Sequence, residues 1–292
     1  MIARARPLLG TLVSLSVDGV DETAAHAAIA RGFAAIESIH RLMSFHEAAS
    51  DVSRLNRDAH ACWVTVAPAT YRVLARAGEI AAATDGVFDI TIAGRLVRWG
   101  FLPRPADAPA PQARATWRDI ALAAPDRVRF GRPLWIDLGG IAKGYAVDAA
   151  LAAMALPGTA QVVINAGGDV RVAGPAPERI VLRVPGHDAA QVPAVELMDG
   201  SIASSSGAEH ARVHRGRQGR QVVGPHVHGR TRAPAGTRRF VSVLAPACID
   251  ADALTKVALV LGPRAAPTLR RFGATAYLHT ARGGWRTLGA AP

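Results

Sequence analysis

The chain has 292 residues, half of them hydrophobic and a fifth charged, enough to bury a large core as one domain or two intimately packed lobes, which excludes a disordered or fibrous protein. Its formal net charge of +11 comes from arginine scattered through alanine- and proline-rich sequence, with only 5% aromatic residues, so nucleic acid is not an expected partner. Cys62 and Cys248 stand apart without a C-x-x-C partner, which argues against a disulfide framework or a cysteine zinc site, and no stretch approaches the ~18 consecutive apolar residues of a membrane span.

Met1 to Arg6 is basic, but the apolar run behind it is broken by Gly10 and Thr11 and turns into alternation. Leu9 to Val17 is therefore expected as a first strand and not as a signal peptide. Neither a signal peptide nor a lipoprotein cysteine is recognisable, and the expected compartment is the cytoplasm or the periplasm. Asp21-Glu22-Thr23 starts a helix whose apolar positions Ile29, Phe33, Ile36 and Ile39 carry it to about Met43. The polar stretch Ser44 to Asp51 interrupts, and order resumes at Val52 to Asn56. A second helix, Pro68 to Ala83, stops at the turn Thr84-Asp85-Gly86.

After Val87 to Phe101, the repeated prolines of Leu102 to Pro111 argue for a loop. Strands are expected at Val128 to Phe130, Leu134 to Ile136, Ala160 to Ile164, Val170 to Ala173 and Ile180 to Val184, with a helix from Ile141 to about Met154 among them. Further strands follow at Ala194 to Leu197, Gln221 to Val223 and Phe240 to Leu244. Helices come at about Asp250 to Leu261 and Arg264 to Phe272, and a hairpin from Tyr277 closes near Trp285. Strand blocks mixed with a few helices, without strict alternation, give an α+β class with mixed or antiparallel sheets. The proline-rich segment and the arginine-rich Arg212 to Arg239 region are expected as mobile loops.

Four constellations carry chemistry. In Asp137-Leu138-Gly139-Gly140-Ile141-Ala142-Lys143-Gly144-Tyr145 a carboxylate, glycines and a cation precede a helix start, where free N–H groups attract anions. Tyr145-Ala146 stand where a Walker A loop needs Lys-Ser/Thr, and G-x-G-x-x-G does not fit. The motif is either a cradle for a phosphorylated ligand or a turn with a solvated Lys143. Asn165-Ala166-Gly167-Gly168-Asp169 turns on glycines, and its Asn and Asp satisfy local backbone groups unless Asn165 presents its amide to a ligand.

In Ala251 to Lys256, Asp252 is either a carboxylate at a helix N-terminus or, with Thr255 or position 256 on the same face, an oxygen ligand of a hard cation such as Mg²⁺. His210, His214, His226 and His228 crowd one basic region, where a single catalytic or phosphate-facing histidine is favoured over a zinc site.

With Leu9-Gly10-Thr11, Met43 to His46, Asp51 to Asn56, Gly86 to Thr91, Trp99-Gly100-Phe101 and Ser201 to Gly207, these segments in this order resemble the ApbE family of flavin transferases (FAD:protein FMN transferases) over nearly the whole chain. The resemblance implies a T-fold-like α+β architecture and Mg²⁺-dependent cleavage of FAD. FMN passes to a threonine or serine hydroxyl of an acceptor protein in a redox or electron-transfer complex, and AMP leaves. It implies that Asp137, Lys143 and Asn165 contact FAD and that Leu9, His46, Trp99, Gly100 and Phe101 shape its ring pockets. It further implies that the Gly140 carbonyl and Asp252 hold Mg²⁺, with Thr255 as the candidate third ligand, and that His226 and Asp252 serve catalysis.

Three positions depart from the pattern. His46 stands where the family has a tyrosine or another adenine-stacking group. Lys256 stands where it has a metal-ligating threonine, and an ammonium has no lone pair for a metal. Either Thr255 substitutes one residue earlier, or Lys256 replaces the cation and binds phosphate. The family's His-x-x-Asp-Pro-Arg-Thr-Gly reads here as His226-Val227-His228-Gly229-Arg230-Thr231-Arg232. The alternative to transfer is an FAD-binding protein or an FAD pyrophosphatase with a degraded metal site.

Overall fold

A hairpin comes first: β1 (Ile2–Leu8) and β2 (Thr11–Asp18) pair antiparallel from Ile2↔Val17 to Leu8↔Thr11, and Leu9 and Gly10 between them take φ of 55° and 71°. Positive φ at both central residues matches the twist of the flanking strands, and glycine supplies it without steric cost. The single strand expected from Leu9 is thus two, with Leu9 in the turn. Almost every side chain of β1 is exposed, so it carries none of the alternation that reveals β2.

The computed structural model describes residues 1–184, 192–208, 211–216, 219–236 and 238–289. In chain order the other elements begin with α1 (Glu22–Met43), α2 (Asp51–Asp58), β3 (Val64–Thr65), α3 (Pro68–Ala83), α4 (Ala93–Arg98), β4 (Ile120–Ala123), β5 (Arg127–Phe130) and α5 (Ala142–Met154). Next come β6 (Gln161–Ala166), β7 (Asp169–Ala173), β8 (Glu178–Val181), β9 (Ala194–Leu197), β10 (Gly200–Ser206), β11 (Arg212–Gly216) and β12 (Gly219–Val223). Last are β13 (Arg239–Ala245), α6 (Cys248–Leu261), α7 (Ala266–Arg271), β14 (Thr275–Thr280) and β15 (Gly284–Gly289). They fall into two compact units, one of Met1–His40, Lys143–Ser206 and Arg238–Pro292, the other of Arg41–Ala142 and Gly207–Thr237.

The first unit is built on an eight-stranded, wholly antiparallel sheet in the order β1-β2-β6-β7-β10-β13-β14-β15. Residues two apart share a face, and Val13, Leu15, Val162, Ile164, Ala203, Val241, Val243 and Leu278 are buried on one of them. α6 packs there against β10 and β13. At Gly32 of α1 an added Cβ would come within 2.5 Å of Leu15, so glycine lets that helix close on β2. On the opposite face Val170, Val172, Ile202 and Phe240 join Leu182, Val184, Val195 and Leu197, so the pair β8-β9 completes a second core. β10 has the sequence GSIASSS, and its small polar residues gave no strand signal.

The second unit holds α2, α3 and α4, the three-stranded sheet β3-β5-β4 and the hairpin β11-β12. Leu134 to Ile136 is not a strand. Its backbone is served by a side chain instead: buried Asn56 donates Nδ2–H to the Ile136 carbonyl at 3.1 Å and accepts the Ile136 N–H on Oδ1 at 2.7 Å. α4 ends as a Schellman motif, with Phe101 N–H to Leu96 O at 2.9 Å and Gly100 at φ 77°. The Arg212 to Arg239 region, expected as a loop, contains the β11-β12 hairpin and a bridge between Val227 and Pro234. The strand expected at Gln221 to Val223 is the second half of β12, whereas its partner β11 lies in sequence expected as a loop.

Candidate functional site

The glycine motif divides between the units: Asp137 to Ala142 belong to the second, Lys143 onward to the first. In the first unit α5 begins hard against the start of α6. Asp148 on α5 accepts the N–H groups of Cys248 and Ile249, both at 2.9 Å, and so satisfies two free donors of the α6 terminus. A Cβ on Gly144 would lie 2.2 Å from the Cys248 carbonyl oxygen and 2.8 Å from Asp252 Cβ. Glycine is required at 144 for contact, not for flexibility.

That contact assembles four charges. The Gly144 N–H donates to Asp252 Oδ2 at 3.1 Å, and the other oxygen of Asp252 receives the Lys256 ammonium, which also donates to the Asp252 carbonyl at 3.0 Å. Lys143 Nζ sits 2.6 Å from Asp169 Oδ2 and 3.8 Å from Asp252 Oδ1. The two carboxylates are shut from solvent, Asp252 at 0% and Asp169 at 1% exposure, while Lys143 keeps 30% and Lys256 17%. Buried acids paired with partly exposed cations leave the cations as the groups a ligand would meet.

Burial works against the Asp252 carboxylate, but the two ammonium groups and the Gly144 N–H outweigh it and hold its carboxyl below the usual range. Asp169 goes the other way: burial, reinforced by the charge of Asp252, pushes it up to about 6 against the pull of Lys143 and Lys256. Burial also disfavours the charged form of Lys143, yet Asp169 and Asp252 more than offset this and hold its proton above the usual lysine range. Burial raises the Cys248 thiol well above its ordinary value, which leaves it inert.

Asp169, read from sequence as a local turn group, is thus a member of the cluster. Asn165 accepts the Gly168 N–H on Oδ1 at 2.9 Å, closing the turn from β6 to β7. Thr255 is buried, donates to the Asp252 carbonyl at 2.7 Å and shares a hydrogen bond with Ser205 at 2.8 Å.

The donors expected for Mg²⁺ do not fit that ion as placed. One Asp252 oxygen holds an ammonium, the other a backbone N–H, and the Thr255 hydroxyl points its proton at a carbonyl. Among the described residues no group of three or more His, Cys, Asp or Glu is positioned to share a metal.

In the second unit Asp137 accepts the Gly139 N–H on Oδ1 at 3.2 Å and donates its own N–H to Ile90 O at 2.9 Å, so the Asn56 latch on Ile136 delivers it. Burial pushes its carboxyl up, opposed by the Gly139 N–H and by His46. His46 is exposed, edge-on to Phe45 at 6.4 Å, and Gly140 is half-buried in the turn before α5. Trp99 is buried among Leu96, Val223 and Val227. Gly100 presents its carbonyl to Arg212 Nη1 at 2.8 Å, and the same guanidinium lies 4.1 Å over the Phe101 ring.

The segment after His226 is well bonded. Ala235 N–H reaches the His226 carbonyl at 3.0 Å and Arg232 N–H the His228 carbonyl at 2.8 Å. Gly229 is packed so that a Cβ would meet Gly86 O at 2.2 Å. Arg232 donates to Asp89 at 3.0 Å and to Thr91 and the Ala115 carbonyl at 2.8 Å, tying the segment to the Gly86 to Thr91 motif. Nothing in the spacing pointed to Arg232 or Arg212. His226 is half-buried here and His214 lies on β11, while His210 lies outside the described residues.

A model of the ApbE family matches residues 9–278 of the chain. The FAD:protein FMN transferase of Klebsiella pneumoniae is 27% identical over 96% of this chain and 84% of its own length. That of Rhodobacter capsulatus is 31% identical over 68% of this chain and 40% of its own. Among solved structures, the ApbE protein of Thermotoga maritima superposes with a TM-score of 0.83 at 27% identity, covering 98% of this chain and 96% of that one. The flavinyl transferase ApbE of Pseudomonas stutzeri gives 0.75 at 20% identity, covering 100% and 98%.

Proposed function

The chain belongs to the ApbE family, and on that premise we propose that it transfers the FMN half of FAD to a threonine or serine hydroxyl of an acceptor protein and releases AMP. The observation that carries this reading is the pair of cations where α5 meets α6: Lys143 on α5 and Lys256 on α6, each seated on a buried carboxylate, suit a dianionic diphosphate. The acceptor oxygen attacks the FMN phosphorus, the bond to the AMP phosphate breaks, and the hydroxyl proton passes to a base. Asp252, held ionised by two cations, is a poor proton acceptor and acts as their anchor. By resemblance His226 is the reactive histidine near the phosphates, and as an imidazole it suits the task of that base. By the same resemblance Asp137, Leu9, His46 and the Trp99-Gly100-Phe101 corner contact FAD.

Incubation with FAD and a threonine-bearing acceptor is expected to give a flavin that stays with the acceptor through denaturing electrophoresis, with equimolar AMP. No flavin on the acceptor and no AMP overturns the reading; AMP with unlabelled acceptor makes the protein an FAD pyrophosphatase.

The cluster also makes a pH dependence. At pH 7.5 two carboxylates face two ammonium groups, whereas protonation of Asp169 near pH 6 leaves one positive charge in excess. The FAD diphosphate does not titrate in this interval, so FAD affinity rises several-fold, up to about tenfold, as pH falls from roughly 7.5 to 5.5. In the Asp169→Asn variant a fluorescence titration shows a shallower profile. For folding, the raised Asp169 carboxyl stabilises the native state fully below its ordinary value of 3.8, and this contribution is lost as pH rises through about 6.

A further inference from the structure

The Lys256 ammonium occupies the place on Asp252 at which the resemblance puts a divalent cation. We infer that Lys256 is the built-in cation of this site, so that FAD is bound without a divalent metal; this rests on reading the site as one for the FAD diphosphate. Three features of the first unit support it.

The first is donor capacity. Lys256 donates both to an Asp252 carboxylate oxygen and, at 3.0 Å, to the carbonyl of the same residue one helical turn earlier. The remaining carboxylate oxygen accepts from Gly144. A hard dication needs six oxygen ligands in near-ideal geometry, and here the principal carboxylate has both oxygens committed.

The second is charge. Asp169 and Asp252 contribute two negative charges, Lys143 and Lys256 two positive ones, and the sum is zero. A neutral cluster offers no net attraction to a dication, which would also have to approach two ammonium groups to reach the buried carboxylates. With threonine at position 256 the sum would be −1 and a hydroxyl would be free to ligate, so one side chain sets the preference between a metal ion and an ammonium.

The third is exposure. Lys256 keeps 17% of its side chain accessible although its counterion keeps none, so the ammonium is anchored on one side and open to a phosphate oxygen on the other. Three rotatable donors on a compact point charge suit that task.

The test begins with wild-type protein and free FAD. Fluorescence titration is expected to give the same Kd within about twofold in EDTA and in millimolar MgCl2, because the ammonium holds the place on Asp252 that Mg²⁺ would otherwise take. Affinity that is lost in EDTA and restored by MgCl2 overturns the inference. A second measurement needs no flavin: electron paramagnetic resonance of Mn²⁺ added to wild type and to Lys256→Thr. The variant is expected to bind Mn²⁺ at least roughly tenfold more tightly than wild type, since it gains a hydroxyl ligand and one net negative charge. Equal Mn²⁺ affinity in the two proteins, whether tight or absent, overturns the inference. If FAD binds under neither condition, the transferase reading fails, and the Mn²⁺ comparison still decides the role of Lys256.

Discussion

In the Asp252→Asn variant, flavin transfer falls by roughly a thousandfold or more while FAD binding is kept or tightened. Asp252 is the hub of the cluster, holding Lys256 on one oxygen, lying 3.8 Å from Lys143 and accepting the Gly144 N–H on the other. An amide of the same shape keeps the volume and removes the charge. The two ammonium groups then face a single carboxylate, which raises the attraction for an anionic ligand but leaves the cations without the anchor that aims them. The kinetic signature is therefore a loss in kcat with FAD Kd unchanged or lower. Stability falls as well, by about 3 kcal/mol, because removing one partner of a buried ion pair strands the other. Stopped-flow transfer assays with an FAD titration and urea unfolding measure both parts. A rise in Kd with unchanged kcat would sink the assignment of Asp252 as the charge anchor and make it a simple binding group.

Gly144→Ala carries the next largest effect. The added methyl would overlap the Cys248 carbonyl oxygen at 2.2 Å, and that atom is backbone, so no side-chain rotation relieves it. The start of α5 must withdraw from α6, which costs roughly 3 kcal/mol or more, and Tm drops by about 6 °C or more. The same movement lengthens the Gly144 contact to Asp252 and loosens the Asp148 bonds to the α6 terminus. Gly158→Ala is the control, because nothing lies within 4 Å of its added Cβ and its Tm stays within about 1 °C. Equal melting temperatures for the two variants would show that α5 yields easily, against the close packing seen here.

Much of the architecture was legible because its signals are local. The apolar spacing of α1, and the proline that opens α3 with the Thr84 to Gly86 turn that ends it, act within a few residues, and both helices lie where the pattern places them. Elements whose pairing is tertiary escaped. β10 is a central strand made mostly of serine, glycine and alanine, chosen for close approach to α6 and not for strand propensity. Leu134 to Ile136 reads as a strand by composition and is held by one amide on a distant helix.

The site divides the same way. Lys143 and Asp252 were found through motifs contiguous in sequence, and Lys256 stood out against the family pattern. The glycines beside Asp169 mark it in sequence as a turn residue, and only the fold reveals that its carboxylate is buried against Lys143, twenty-six positions away. Arg232 gave no signal in the spacing, and only the fold shows its guanidinium tied to Asp89.

The pair of hydrogen bonds between Asn56 and Ile136 has a consequence for how the protein ages. Its two contacts copy one rung of a β-ladder, so the Ile136 amide is expected to exchange slowly with deuterium although it belongs to no sheet. Conversion of Asn56 to aspartate by spontaneous deamidation would put an oxygen where the Nδ2 donor now meets the Ile136 carbonyl, turning an attraction into a repulsion. Burial within α2 shields that amide from the reaction. A chain that has been partly unfolded and has reacted there would come back with the segment before Asp137 unlatched, a chemical record of its unfolding history written at one atom.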